Sequence, residues 1–446
     1  MTQSTLWLSQ LQFFSGIGFV LLFLAIEMGL AWLLVYFRWR ALSGDAAWLG
    51  AYRFWVRVFA LAFILSFSAC IPVLLQFGSL WPAIMDKAGE VVGPLFAAGI
   101  LTAFIFKSCC LGAMLFGQRR LSGPVHWLMV KLVAVGVTLS AWWFVALLGW
   151  TRTPSGAQYA DGVYRVTDWF QVVFNPSMPW YAGLLAAGAL LSAVLLVVGV
   201  VSAQTLRRPV DEAQRVAFRT AVRVAALAAP AQVALVAGLL LMVSRHQPAF
   251  AAALAAYWES GAPNPLVLFA WPDTSTALNL YSVSLETVSS YWLNRDDAGR
   301  LVGLNQFAGM MPPVALVFWS FRLAFFFGLV LLLVVWLTWL RGRSMANDPA
   351  ALSRRWRVML VLCSWLAPAM LLSGFACIFF GGYPFAIAGT VTLTEVISPL
   401  LTFNTVAAAT VAYWILYLFF IAGFIHMLRH IARYGVVPVA RRRGRA

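Results

Sequence analysis

The sequence predicts an all-α polytopic membrane protein with nine transmembrane helices. Of its 446 residues, 62% are hydrophobic and only 10% are charged, and the mean hydropathy is +0.85. That balance excludes an ordinary soluble domain. Nine apolar windows are long enough to cross a bilayer, and basic residues crowd into alternate connections between them. The formal net charge of +16 is therefore a topology signal with anionic lipid as its partner, not a nucleic-acid signal.

The first window, about 11–37, is too long and too weakly flanked by positive charge for a cleaved signal peptide, and no small-residue cleavage site precedes the next span. It carries Glu27 in its interior, and Arg38, Arg40, Arg53 and Arg57 bracket the turn to span two, 54–76. Span three, 94–117, has Lys107 near its middle and Arg119 and Arg120 at its end. Span four, 127–149, contains Lys131 and leads into a segment, 150–181, rich in Tyr, Asp, Pro and Trp. Span five, 182–203, and span six, 220–243, are joined through Arg207, Arg208, Arg215, Arg219 and Arg223.

The next connection, 244–313, is long and includes "HQPAFAAALAAYWESGAPNPLVLFAWPDTSTALNLYSV". Its Pro and Asn clusters predict an ordered but irregular external loop, long enough to bind a lipid-soluble substrate or to serve as packing cover. Span seven, 314–340, holds Arg322, and Arg341, Arg343, Arg354, Arg355 and Arg357 follow before span eight, 357–380. Span nine, 407–428, precedes a basic tail ending "VARRRGRA". The chain thus divides into helices one to six (1–243), the external loop (244–313), helices seven to nine (314–430) and the tail (431–446). The other side holds only Lys87, Arg152, Arg165, Arg245, Arg295 and Arg300, so the N-terminus is expected outside and the C-terminus in the cytoplasm.

Chemistry-bearing residues are few. The five cysteines, Cys70, Cys109, Cys110, Cys363 and Cys377, lie in apolar helices without metal-site spacing and read as buried small side chains. The histidines are His126, His246, His426 and His430. The last two are i,i+4 neighbours able to share a metal, but Arg429 and Arg433 beside them disfavour a cation. Tryptophans such as Trp39, Trp55, Trp150, Trp180, Trp258 and Trp292 fall near span ends or in loops, as interfacial belts require. Glu27, Lys107, Lys131 and Arg322 remain as ionisable groups inside the spans. A lysine in hydrocarbon costs at least ~2.5–3.5 kcal/mol, so Glu27 is expected to pair with Lys107 or Lys131. Such a set serves as a structural pair, a snorkelling group, a proton route or a headgroup site.

The motifs occur in an order that resembles subunit I of the cytochrome bd-type quinol oxidases. "LSQLQF" opens span one, "FWVRVFALAF" and "QFGSLW" frame span two, and "GPLFAAGILTAF" and "LFGQRRL" frame span three. "LSAWW", "GWTRTPSGA" and "FNPSMPWY" surround the ends of spans four and five. "AAYWES" and "PDTSTALN" lie in the long loop, "FWSFRLAF" in span seven and "GGYPFAIAG" after span eight. Each motif is short, and their collinearity over nearly the whole chain is what is specific.

The resemblance implies three haems, quinol oxidation at the long loop, oxygen reduction in the membrane and residence in a prokaryotic cytoplasmic membrane. It also locates the family's haem-ligand positions, and these are altered. The two histidines fall at Val20 and Leu184, the methionine at Ala324, and the glutamates near Gly99, at Lys107 and near Leu372. Haem iron needs a lone-pair donor, and of these only a neutral lysine has one. The quinol site is degenerate too. The family's lysine and glutamate align with Phe250 and Ala255, and its "GRQPW" reads "GGYPF", with Gly382 and Tyr383 replacing the arginine and glutamine. Bulky Leu184, Phe379 and Phe380 are expected to fill part of the vacated space.

The resulting expectation is a haem-free structural subunit, with no cofactor of its own and no metal. It would pair, in place of subunit II, with a haem-bearing subunit I homologue that carries haems b and d. Small single-helix subunits are further candidate partners, and lipid or quinone are candidate occupants of emptied cavities. Two alternatives stand beside it: a divergent quinol oxidase holding haem through unusual ligands, and a proton conduit.

Overall fold

The computed structural model describes residues 3–262, 265–289, 293, 295–296, 299–343 and 348–434. Helix α1 (Gln3–Arg40) is followed by α2 (Ala46–Leu80), whose Asp45 cap accepts from the Ala47 N–H. Span three is composite: α3 (Ala83–Thr102), a π-helical turn (Ala103–Ser108) and α4 (Cys109–Phe116). Helix α5 (Gly123–Arg152) leads to a small hairpin, β1 (Ala157–Ala160) with β2 (Val163–Val166).

Helix α6 (Trp169–Val173) then meets α7 (Met178–Thr205) at a polar corner. There Asn175 donates to the Ala146 and Val172 carbonyls and accepts from the Met178 N–H. Helix α8 (Glu212–His246), capped by Asp211, continues into α9 (Pro248–Ala255). Antiparallel strands β3 (Pro265–Asp273) and β4 (Leu278–Ser289) follow, then α10 (Val314–Arg343). Span eight is broken into α11 (Arg354–Cys363) and α12 (Leu366–Gly381). Strands β5 (Phe385–Ile387) and β6 (Val391–Thr392), the short α13 (Leu393–Val396) and α14 (Phe403–Tyr434) complete the described chain.

Nine of the described helical segments are long and apolar enough to cross a membrane, as the hydropathy windows predict. The arginine-rich turns lie at one end, and the hairpins and long loop at the other, here termed the loop face. Helix α1 is central and packs against α2, α5, α7, α12 and α14. The most apolar window of its span is 67% buried, against 17% for that of α14, so α1 is a core helix and α14 lies at the rim.

Close approach explains one demand of this packing: a Cβ on Gly29 would run into the Ala189 carbonyl and lie 2.6 Å from Ala193 Cβ. Only glycine lets α1 and α7 meet there. Three expectations need correction. The long loop is not irregular throughout, because the β3–β4 hairpin organises its middle. Trp55 and Trp150 are fully buried and belong to the core rather than to an interfacial belt; Trp292 lies outside the described residues. Only Cys363 and Cys377 are buried, while Cys70 and Cys110 are half-buried and Cys109 is exposed. Helix α14 includes residues to 434, and the rest of the basic tail lies outside the described residues.

Gly29→Ala is expected to lower the thermal unfolding temperature in detergent, since overpacking costs about 1–3 kcal/mol. Gly78→Ala, where the added methyl meets nothing within 4 Å, is expected to be neutral or slightly stabilising through helix propensity.

Candidate functional site

The π-helical turn that interrupts span three sets the geometry of its one lysine. Such a turn inserts a residue into the helical period and re-aims the side chains that follow. Glycine at 136 in α5 leaves room for it: a Cβ there would lie 2.9 Å from the Lys107 backbone nitrogen and 2.5 Å from Phe106 Cβ. Lys107 then reaches across to α1, where its Nζ lies 2.8 Å from Glu27 Oε1. Ser66 of α2 donates its hydroxyl to the other carboxylate oxygen, Oε2. The Phe63 ring stands 4.9 Å from the lysine nitrogen. Glu27 has no exposed side-chain surface and Lys107 only 10%, so three helices share one desolvated ion pair.

The pair is made by Lys107 and not by Lys131. Lys131 is exposed, with its ammonium 5.5 Å from the Trp127 ring, so its reading as a buried ionisable group is corrected; it sits on the surface of the bundle, where a snorkelling lysine belongs. Arg322 is half-buried and its charge is spent on the long loop. It donates to the Leu254 carbonyl and, at 2.8 Å, to the Val267 carbonyl. Its Cζ stands 3.4 Å over the Phe318 ring. The arginine therefore pins α9 and β3 to span seven.

The positions at which the resemblance places haem ligands do not fit haem. Val20 packs on the central core. Leu372 lies 3.4 Å from where a Cβ of Gly18 would be. Gly99 faces Phe144, whose ring would be 2.9 Å from an added Cβ. Leu184 and Ala324 are half-buried aliphatic groups. Lys107, the one residue among them with nitrogen to offer, presents an ammonium to Glu27 and so has no free lone pair for iron. Phe379 and Phe380 pack with Phe14, at ring separations of 5.6 and 5.1 Å, between spans one and eight.

At the loop face the positions that the resemblance assigns to the quinol site are engaged in packing. Phe250 and Ala255 of α9 are buried, and the Phe250 ring covers Gly381. Tyr383 stacks on Trp7 with ring centroids 5.1 Å apart. Gly382 contains a surprise, because the space a side chain would take there is filled by the guanidinium of Arg152 from α5. Sequence reasoning missed this residue as a site group. Its signal was an arginine in "GWTRTPSGA" on the side of the chain that is otherwise poor in basic residues.

Two further histidine readings are resolved. His126 is buried and accepts from Arg38 Nε at 2.9 Å on Nδ1, which leaves Nε2–H to face the Met114 carbonyl at 3.2 Å. It is a neutral cross-brace between spans one, three and four. His426 and His430 are exposed, and the described residues contain no group of three or more His, Cys, Asp or Glu able to hold a metal. Also at the loop face, Lys87 lies 3.0 Å from Glu395. The Glu395 carboxyl is held down to about 2, chiefly because the Thr392 hydroxyl donates to it, with Lys87 and the Thr392 N–H adding to the effect.

A bundle with nine candidate spans among the described residues, in which the loop from span six to span seven is clamped to span seven by an arginine, defines a multi-pass membrane protein. The chain belongs to the cytochrome bd terminal oxidase subunit I family, whose model matches residues 8–436. It is similar to cytochrome bd ubiquinol oxidase subunit 1 of Bacillus subtilis, with 25% identity over 93% of this chain and 91% of that protein. Against cytochrome bd-II ubiquinol oxidase subunit 1 of Escherichia coli it is also 25% identical, over 96% of each. In fold it matches a chain of the bd oxidase from Geobacillus thermodenitrificans, with a TM-score of 0.87, 20% identity and coverage of 97% of this chain and 99% of that one.

Lys107→Met or Glu27→Gln alone is expected to destabilise by about 3–5 kcal/mol, the cost of stranding one buried charge. The double variant Glu27→Gln/Lys107→Met should recover most of that loss in detergent unfolding, and a double variant no better than the singles would refute the pair. For Glu395 the folded value lies below the ordinary 4.5. Its contribution is therefore complete above pH about 4.5 and is lost as pH falls toward about 2. The unfolding-temperature gap between wild type and Glu395→Gln should close over that window.

Proposed function

We propose that this chain is a haem-free, non-catalytic subunit of a bd-type oxidase complex. In this reading it occupies the place of subunit II beside a haem-bearing subunit I homologue that carries haems b and d, in a prokaryotic cytoplasmic membrane. The loop face is outward and the arginine-rich face cytoplasmic. Quinol oxidation and oxygen reduction belong to the partner, and this chain contributes packing surface and a filled, iron-free interior.

The observation that carries the reading is the Glu27–Lys107 pair. It places a neutralised ammonium where the resemblance puts a carboxylate of the oxygen-reducing haem site. A cation there repels ferric iron, and the Lys107 nitrogen is already engaged 2.8 Å from Glu27 Oε1. The other aligned positions offer aliphatic carbon or glycine. A proton conduit finds less support. Along α1, Phe19 and Phe23 are buried between Ser15 and Glu27, a stretch of about 18 Å at 1.5 Å per residue.

The test is to isolate the native complex, separate its chains and assign each haem by pyridine haemochrome spectra. The expected result is a colourless chain from a coloured complex. A Soret band that stays with this chain after separation would overturn the reading in favour of an oxidase with unusual ligands. Proton flux through liposomes containing this chain alone would favour the conduit.

A further inference from the structure

At the loop face the ends of four spans converge on a cavity of about 450 Å³. Arg152 and Thr153 line it from the end of α5, Pro176 from the start of span five, His246 from the end of α8 and Gly389 from the turn after β5. No acidic residue is among its lining residues.

Arg152 is the unusual member. It is only 8% exposed, yet it has one hydrogen bond, from Nη2 to the Phe379 carbonyl at 3.2 Å. Its Nε and Nη1 have no acceptor. Three other loop-face cations have carboxylates: Lys87 has Glu395, Arg165 has Glu90 and Arg300 has Asp296. None lies within ion-pair distance of Arg152 among the described residues. A buried guanidinium without a counter-charge is strongly unfavourable, and it is stabilised when an anion is supplied. His246 is exposed at the mouth of the same cavity. The nearby hydroxyls are already engaged, Ser155 with the Gln171 carbonyl and Thr153 with Gly149 and Ser177. The recognition capacity of the cavity therefore rests on one buried guanidinium and one imidazole.

We propose that this cavity binds an oxyanion of the phosphate class, with Arg152 as its buried counter-charge and His246 as a donor at the entrance. Nε and Nη1 lie against Gly382, so anion binding requires the guanidinium to turn from Gly382 toward the cavity that Arg152 also lines. The ligand is either the phosphate of an anionic lipid at the membrane surface or a free phosphate from solution; the chemistry of recognition is shared. The proposal is independent of haem content and of the partner chain.

The experiment uses the full-length chain, with any subunits that accompany it, in neutral detergent at constant ionic strength. Unfolding temperature is measured against dihexanoyl-phosphatidylglycerol, inorganic phosphate and dihexanoyl-phosphatidylcholine. A saturable rise is expected with phosphatidylglycerol, with phosphate or with both, and none with phosphatidylcholine. His246→Gln should weaken the apparent affinity about tenfold, and Arg152→Gln should abolish the response. A rise with phosphatidylglycerol alone assigns a lipid headgroup, and a rise with inorganic phosphate assigns a site open to the free anion. If Arg152→Gln is not recovered folded, the exposed His246→Gln carries the test by itself. The proposal is overturned if neither anion gives a saturable rise, if phosphatidylcholine serves as well, or if His246→Gln responds like wild type.

Discussion

The cost of leaving charge unpaired in an apolar bundle organises this molecule. Glu27, Ser66 and Lys107 come from three separate helices, and neither charge could be buried without the other. Their meeting fixes the rotation of α1, α2 and the π-turn of span three at one level of the bundle. Gly136 admits that turn by letting the α5 backbone approach it. The Glu27–Lys107 pair closes on itself.

The same constraint recurs toward each end. Near the arginine-rich face, Arg38 and His126 satisfy each other, and Tyr52 joins His126 on the Met114 carbonyl, with its hydroxyl 2.8 Å away. Near the loop face, Arg322 spends its donors on the backbone carbonyls of Leu254 and Val267. Asn175 closes the corner between α6 and α7 in the same way. Against this pattern the Arg152 guanidinium stands out, because its neighbours leave two of its nitrogens without acceptors. Other buried polar atoms also lack partners, the Gln76 amide and the Tyr181 and Ser192 hydroxyls among them, but Arg152 carries a full charge, which is costlier to leave without a partner.

The nine spans were legible because hydropathy over about 20 residues is a local property. The alternation of arginine-rich turns was legible for the same reason. The β3–β4 hairpin was not, since its pairing is broken by register shifts and the Pro and Asn residues in and around it signal turns more strongly than pairing. The π-turn was equally hidden: "AFIFKS" carries no breaker, and the distortion follows from how span three meets Gly136. Trp55 and Trp150 misled because position near a span end predicts an interface, whereas helix rotation turned both rings into the core.

Sequence by itself determined the membrane-spanning class, the family, and that the side chains of Val20, Leu184, Ala324 and Leu372 carry no lone-pair donor, because residue identity decides what an atom can ligate. It also required that Glu27 have a cationic partner. Tertiary structure chose Lys107 over Lys131, since the two lysines differ only in which face of their helices meets α1. It alone placed Arg152 in the space left by Gly382 and left its charge facing no carboxylate. That juxtaposition joins residues 230 positions apart, and only the packing of α5 against the turn after α12 brings them into contact.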